Sequence, residues 1–542
     1  MKKAKRLKIA DISKPGEQMT TLNPEEFMPL PYPYNEDGAR PMKQITEDQR
    51  SRYECSLDGI IAVGMLKPES KEEEERRVKA FLEGLKKLLS KENNWTFLQP
   101  LMFSLKYCAK CQTCNDACPI YVASGKQEVY RPTYRSEVLR KIVHKYIDGE
   151  GIFDRLTRDD FELNWTTLSR LIESAYRCTL CRRCAQTCPM GVDNGLISHE
   201  IRKLFSQELG IVPKELHDKG SVQQLKVGSS CGMTPAALAD IVEFMEEEIE
   251  EKTGKKIKIP VDKEGADILL VHNAGEFLSW PENPEAFAIL FDAAGINYTL
   301  SSELGCYDAV NYGVWYDDFQ LARVVLKQAQ AAKKLGVKKI VVGECGHAHK
   351  AMIVIADRVL TGDLNIPRES CFPLFEQIVF SDKLKLDPQR NNFPVTMHDP
   401  CNIVRLMGIV EPQRRILRKI CPQFREMTPH GVENYCCGGG SGFAVMPSMN
   451  FPNWRHTVAG RMKLKQTVDV FQDIISPDIR KIVCAPCSNC KAQYRDLFQE
   501  FEVGERCNIE YTGLVELIVN AMVDFNPPPF FPSQEELVEV TV

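Results

Sequence analysis

Eight cysteines fall in two runs with one spelling. Cys108, Cys111, Cys114 and Cys118-Pro119 read C-x2-C-x2-C-x3-C-P, and Cys178, Cys181, Cys184 and Cys188-Pro189 repeat it. No other stretch restricts the fold as tightly, because this spacing wraps three thiolates round one iron–sulfur cubane and sends the fourth to a second cubane. The runs therefore predict two cubane 4Fe–4S clusters, one on Cys108, Cys111, Cys114 and Cys188 and the other on Cys178, Cys181, Cys184 and Cys118. Zinc knuckles have no use for the closing Cys-Pro.

The 59 residues between the runs are more than a compact ferredoxin needs. They predict a helix from Ser136 to Asp148 and, from Leu168, Leu171, Ile172 and Ala175, another feeding the second run. Leu196, Ile197, Ile201 and Leu204 predict a helix leaving it. This is a helical ferredoxin arrangement, and we place the domain at residues 69–230. It opens with an amphipathic helix from about Lys71 to Ser90 and ends in a linker around Lys214 to Ser230. Arg177, Arg182 and Arg183 give the second run a basic rim, suited either to an acidic redox partner or to plain solvation. Residues 1–68 are rich in Pro and charge and read as an extended arm. Residues 526–542, with Pro527-Pro528-Pro529-Phe530-Phe531-Pro532, read as a docking tail.

After a charged helix from Pro235 to Glu251 the pattern changes to alternating strands and helices. Strands are predicted at 267–271, 297–300, 339–342, 395–397 and 481–483, with helices at 284–294, 318–334, 413–420 and 457–465 between them. Residues 262–380 and 392–525 thus look like two copies of one α/β unit, within domains 231–390 and 391–525. The fold class is α+β multidomain: a helical two-cluster ferredoxin domain followed by two pseudo-symmetric α/β halves.

The second copy holds His398-Asp399-Pro400-Cys401, then Cys436-Cys437-Gly438-Gly439-Gly440, then Cys484-Ala485-Pro486-Cys487-Ser488-Asn489-Cys490. So many thiolates exceed what one tetrahedral metal takes, and an adjacent pair suits a multi-iron centre, since each member can hold a different iron. The pattern of a single Cys, a Cys-Cys-Gly and a C-x-x-C resembles the cysteine-rich CCG domain of heterodisulfide reductases. That resemblance implies a noncubane 4Fe–4S cluster at which a disulfide is cleaved, held by Cys401, Cys436, Cys437, Cys484 and Cys487, with Cys490 to spare. The 46 residues separating Cys437 from Cys484 form a longer loop than is usual there.

The first copy puts Asn273 or Ala274 near the place of Cys401 and keeps only Cys306 and Cys345. It reads as a degenerate half whose face covers the cluster. Cys306, Cys345, His347 and His349 are then expected at the interface of the halves, where a thiol or imidazole can donate protons or bind sulfur. The alternative is small buried residues at a former metal site. His398 is open to the same two readings, as an orienting group or as core. The catalytic candidates are Cys436, Cys437, Cys345, Cys306 and His347. Cys55, Cys231, Cys371, Cys421, Cys490 and Cys507 are expected to be buried hydrophobes.

With 21 cysteines in 542 residues, clustered in C-x-x-C runs, the chain is not a disulfide scaffold. A net charge of -5 excludes a nucleic-acid footprint. There is no apolar run of membrane-spanning length and no secretory signal, so a cytoplasmic protein is expected, attached to the membrane through partners. Gly438-Gly439-Gly440-Ser441-Gly442 follows a cluster ligand and lacks the acidic partner of a dinucleotide fingerprint.

The order ferredoxin pair, then two CCG-type halves, is similar to the HdrD-type polypeptide of heterodisulfide reductases. Within that family the arm, the single complete CCG site and the tail resemble the DsrK group of DsrMKJOP membrane complexes. The resemblance implies a catalytic iron–sulfur subunit exchanging electrons between a cytochrome b subunit (DsrM-type) and the disulfide or trisulfide of a small DsrC-type sulfur carrier, in sulfite or sulfate metabolism. Three alternatives stand: reduction of the coenzyme M/coenzyme B heterodisulfide, an electron relay serving a flavin dehydrogenase, and a structural zinc on Cys484, Cys487 and Cys490.

Overall fold

The computed structural model describes residues 57, 61–94, 96–149, 161–446, 450–451 and 454–531. Most of the expected arm, Cys55 and the tail beyond 531 lie outside the described residues. The chain divides into two compact units. One comprises the residues up to Val222 with Tyr312–Leu321 and Gly438–Met462; the other comprises Gln223–Asn311, Ala322–Cys437 and Lys463 onward.

The first unit is helical. α1 (Lys71–Leu88) begins where the Ser70 hydroxyl accepts from the Glu73 N–H, sets Glu72, Glu73 and Glu74 against the positive end of the helix, and buries Phe81, Leu85 and Leu88. α2 (Leu98–Lys106), α3 (Pro132–Val143), α4 (Trp165–Ala175) and α5 (Asn194–Leu204) follow. α5 is buried along its whole length and α1 to α4 all pack on it. A helix enclosed on every side must satisfy its own charges. Lys203 lies 2.8 Å from Glu200 and 3.1 Å from Asp318. Arg202 donates to the carbonyls of Ala175 and Cys178 and, at 2.5 Å, to Ser441 Oγ. α2 delivers the first cysteine run, α4 the second, and α5 leaves it.

The second unit opens with α6 (Pro235–Thr253) and contains two parallel four-stranded sheets of one topology. β1 (Ile268–Val271), β2 (Tyr298–Thr299), β3 (Lys339–Val342) and β4 (Arg368–Ser370) lie in the order β2-β1-β3-β4. β5 (Val395–Met397), β6 (Phe424–Arg425), β7 (Lys481–Cys484) and β8 (Ile509–Thr512) repeat it as β6-β5-β7-β8. Val271 pairs with Val342 and Met397 with Cys484, so equivalent central strands end together. Their C-terminal ends are where open parallel sheets place their sites.

The helices include α7 (Glu282–Ala294), α8 (Asp318–Leu335), α9 (Cys371–Val379), α10 (Cys401–Leu406), α11 (Glu411–Ile420), α12 (Arg461–Asp469), α13 (Ser488–Glu500) and α14 (Leu514–Asn520). α7 of the first half packs on α14 of the second, and α9 of the first on α11 of the second. Leu270, Phe287, Phe375, Leu417, Ile482 and Leu517 therefore share one core across both halves. The expected linker is not irregular: Leu216–Val222 and Gln223–Val227 are helical. The helix expected at 457–465 is set later, at α12, behind a wide turn at Arg455–Ala459.

Candidate iron–sulfur centres

In the first unit Cys108, Cys111, Cys114 and Cys188 line one pocket. Cys118, Cys178, Cys181 and Cys184 form a second group, in which Cys118 and Cys184 each lie within electrostatic reach of Cys178 and Cys181. Both loops wrap identically. Lys110 and Gln112 in the first, and Leu180 and Arg182 in the second, take left-handed φ of 56°, 63°, 52° and 61° at matching motif positions. Four non-glycine residues in that region carry strain, and what it achieves is to turn backbone N–H groups toward the sulfurs. Leu180 N–H donates to Cys178 Sγ at 3.4 Å and Val192 N–H to Cys188 Sγ at 3.3 Å. Asn194 Nδ2 donates to Cys114 Sγ at 3.6 Å.

Burial makes three of these thiols, Cys114, Cys118 and Cys184, resist ionisation. Burial, then the charges of Cys188 and Cys108, pushes Cys114 up to about 11, and burial pushes Cys118 up to about 12. Iron bound to four thiolates removes that repulsion, so loop geometry and donor chemistry both fit a cubane. The first group faces outward: Cys111 is exposed, and Phe103, Tyr107 and Met190 beside it are exposed apolar residues. Cys178 and Cys184 of the second group are buried.

In the second unit five thiols form a continuous chain. Cys436 bonds Cys437, Cys437 Sγ lies 3.3 Å from Cys490 Sγ, Cys490 bonds Cys487, and Cys487 bonds Cys345 of the first half. His398 Nε2 is 3.2 Å from Cys490 Sγ. Gly346 N–H donates to Cys487 Sγ at 3.2 Å. The bonds from Cys345 and Cys490 hold the Cys487 thiol well below its ordinary value; those from Cys436 and Cys490 do the same for Cys437.

Local folding explains the positions. β7 ends at Cys484, Cys487 caps the N-terminus of α13, and Cys490 lies in its first turn. Cys484, expected as a ligand, lies instead among Met397, Ile482 and Leu514 in the apolar core, and burial drives its thiol far up. Cys490, expected to be spare, stands in the thiol chain. Cys401 starts α10 half-exposed; its neighbours Pro400 and Asn402 lie 3.6 and 3.7 Å from where a Cβ on Gly346 would stand. The same Cβ would stand 3.5 Å from Cys487 Sγ, so Gly346 keeps that rim open.

The Cys-Cys pair is held from behind. Arg414 binds both oxygens of Asp399 at 2.8 and 2.7 Å, and Asp399 Oδ2 accepts from Gly431 N–H at 2.6 Å and Asn434 Nδ2 at 3.2 Å. Gly438 has φ of 88°, and a Cβ there would meet the Ala459 carbonyl carbon at 2.6 Å.

Of the first-half candidates, Cys345 joins the thiol chain. His347 lies within the field of Cys487 and Cys437, and burial lowers it to about 4. His349 is anchored to Cys345 O at 2.8 Å and Ser370 Oγ at 2.9 Å. Cys306 is not brought there: its Sγ reaches Lys327 O at 4.0 Å, and burial followed by Glu303 raises it to about 12. Among the other expected hydrophobes, Cys371 and Cys421 are core residues, whereas Cys231 is exposed and Cys507 half-buried.

One charged side chain had no sequence signal. Lys463 on α12 is fully enclosed behind the Cys-Cys pair, its Nζ on Asn434 Oδ1 at 2.6 Å, on Met427 Sδ at 3.6 Å and on Gln466 Oε1. Five clustered thiols, two of them adjacent, with a glycine-edged rim suit a multi-iron centre and exceed a mononuclear site.

Comparison with known proteins agrees. Residues 104–192 match the 4Fe-4S dicluster domain and residues 395–495 the cysteine-rich (CCG) domain. The chain is 25% identical over 482 residues to the Hdr-like menaquinol oxidoreductase iron-sulfur subunit 2 of Archaeoglobus fulgidus, covering 82% of this chain and 83% of that one. It is 24% identical to the corresponding iron-sulfur subunit of Archaeoglobus profundus, covering 77% and 79%. To the HdrD polypeptide of the dihydromethanophenazine:CoB–CoM heterodisulfide reductase of Methanosarcina acetivorans it is 23% identical, covering 78% and 95%. Among the described residues no helix is long and apolar enough to cross a membrane.

Proposed function

We propose, since the chain is an HdrD-like iron–sulfur protein of the heterodisulfide reductase family, that it is the catalytic subunit of a membrane-associated complex that breaks or forms a sulfur–sulfur bond. The observation that carries this reading is the thiol chain Cys436–Cys437–Cys490–Cys487–Cys345, assembled from both halves at the C-terminal ends of β5 and β7. Cys401, Cys436, Cys437, Cys487 and Cys490 would hold a noncubane 4Fe–4S cluster, with Cys490 in the place first given to Cys484. Bound there, that cluster supplies single electrons and an iron site for sulfur.

The chain's own groups do the rest. Cys345 offers a thiol against Cys487, and Gly346 leaves the rim free for a substrate sulfur. His347, kept neutral by burial, is the imidazole at the site. His398 orients Cys490. The substrate is the disulfide or trisulfide of a small DsrC-type carrier protein. The electron partner is a DsrM-type cytochrome b subunit linked to menaquinone; of this, the names of the Archaeoglobus relatives support the menaquinol link. Attachment to the inner face of the membrane is then peripheral.

The test is an EPR spectrum of the anaerobically purified, oxidised protein with and without a thiol substrate. A paramagnetic signal that changes on adding thiol and vanishes in Cys436→Ser is expected. Reduced-cubane signals alone, indifferent to thiols, would leave an electron relay in its place.

A further inference from the structure

The two cysteine runs of the first unit wrap alike but differ in what surrounds them. Around the second run the arginines expected as a basic rim are bound within the unit: Arg177 pairs with Glu173, both enclosed, Arg182 with Asp193, and Arg183 donates to the Ala117 carbonyl at 2.5 Å. The first run opens outward. Of the eight thiols in the two runs, Cys111 is the exposed one. Phe103 is 41% exposed, Tyr107 57% and Met190 47%. These side chains form one patch with Cys111: the Phe103 and Tyr107 rings lie 5.1 Å apart, Tyr107 precedes Cys108, and Met190 lines the same cavity as Cys108, Cys111 and Cys114.

Exposed aromatic and methionine side chains in one cluster have the composition of an interface centre. This cluster is also held in shape before a partner arrives. α2, which carries Phe103, keeps Leu101, Ser104 and Leu105 in the core. Cys111 Sγ lies 3.3 Å from Thr113 Oγ1, and Asn115 Nδ2 donates to Gln112 Oε1 at 3.2 Å. The rim charges do not cancel. Lys110 pairs with Glu137 at 2.9 Å and Lys126 with Asp116 at 3.0 Å, which leaves the exposed Lys106 in excess on a chain whose net charge is -5. A lipid surface is bound by a helix free to sink its apolar face, and the apolar face of α2 is turned into the core. A second copy docked on the same patch would set lysine rim against lysine rim. A redox protein with an acidic rim fits every feature, since the exposed thiol then lies inside the contact.

We propose that Phe103, Tyr107, Cys111 and Met190 form the docking face for a one-electron carrier protein whose contact surface has an apolar centre and an acidic rim. In each encounter one electron crosses. The partner's centre is oxidised as the iron–sulfur site on Cys108, Cys111, Cys114 and Cys188 is reduced, or the reverse; no bond forms or breaks and no proton is taken up. This role rests on the proposed function only in that the chain exchanges electrons with another subunit, and it adds where that subunit sits.

The test is hydroxyl-radical footprinting read by mass spectrometry, on the intact chain in its detergent-solubilised membrane assembly and on the same chain separated from it. Oxidation of Phe103, Tyr107 and Met190 should fall severalfold in the assembly, and the subunit lying on them should carry a haem or other one-electron centre visible by absorption or EPR. Tyr107→Glu should weaken that subunit's binding about 30-fold, as loss of an aromatic anchor does, while dithionite still reduces the cubane signals as in wild type. Lys106→Glu, at a fully solvated position, should weaken binding at low ionic strength and match wild type at high. Equal oxidation of the three side chains in both states, or a subunit without a redox centre on them, overturns the assignment. Protection by vesicles of phosphatidylethanolamine and phosphatidylglycerol alone overturns it in favour of lipid. Each of these outcomes leaves the thiol-responsive EPR signal, and the sulfur–sulfur reading with it, standing. A chain that leaves the membrane with no subunit attached removes the electron partner from both.

Discussion

Serine at Cys490 and serine at Cys484 should have opposite consequences. Cys490→Ser is expected to lose the thiol-responsive EPR signal and the corresponding iron while both cubane signals persist. Cys484→Ser should keep the iron and lower stability by about 1–2 kcal/mol, since it puts a hydroxyl among Met397, Ile482 and Leu514. Cys484-x-x-Cys487-x-x-Cys490 contains two overlapping C-x-x-C pairs, and spacing alone does not choose between them. The choice lies in the strand: Lys481 to Cys484 is buried throughout, so Cys484 belongs to β7 and its side chain to the sheet core. Lys463 left no trace in the sequence because a lysine in a charged helix reads as solvated. Buried imidazoles make a second prediction at this scale. Burial, with the charge of Lys491, lowers His272 to about 3 against an unfolded value near 6.5. Its folded pKa is depressed, so the unfolded chain binds the extra proton and stability is lost as pH falls from 6.5. Between pH 6.5 and 5 the loss is about 2 kcal/mol from this residue. His272→Phe, set among Phe277 and Phe287, should flatten the fall of the melting temperature over that range.

At the scale of elements, the site depends on loops whose shape is set from behind. Gly438→Ala places a Cβ on the Ala459 and Gly460 backbone, at a φ that only glycine adopts freely. It should abolish the thiol-responsive signal and leave the cubane signals intact, a separation that iron analysis and EPR can read in one sample. Helices with one buried stripe, such as α1 and α6, are plain in the sequence by their period, and strands such as β1 and β3 by their unbroken apolar runs. β2 lies in the strand expected at 297–300, whereas β4 and β6, of three and two residues, are too short to show any period. The helical stretch Leu216–Val227 hides behind Lys, His, Asp and Gly, which are accommodated there by tertiary partners, as His217 is by Tyr316 Oη at 3.0 Å.

In the molecule as a whole, the two α/β halves are joined by charge as well as by oil. Lys491 of the second half donates to Glu276 of the first at 2.5 Å, and Glu344 of the first accepts from Leu514 and Val515 N–H at the start of α14. Lys491→Met would leave Glu276, Glu344 and Glu516 enclosed without a cation. A loss of about 3–5 kcal/mol is expected in the second unit, read as an earlier melting step that spares the cubane signals. The doubled order of strands was legible as a repeat; the exchange of α7 and α9 onto the opposite half was not, since it depends on which apolar faces meet. Cys118 departs from its own run to stand with Cys178, Cys181 and Cys184, while Cys188 departs from the second to stand with Cys108, Cys111 and Cys114. The chain thus closes as a clasp with two interlocking tongues, so that a metal taken up by either thiol group would tug on the other group. Biogenesis of this region should be all-or-none: Cys118→Ser, which touches one cage, should strip the iron of both.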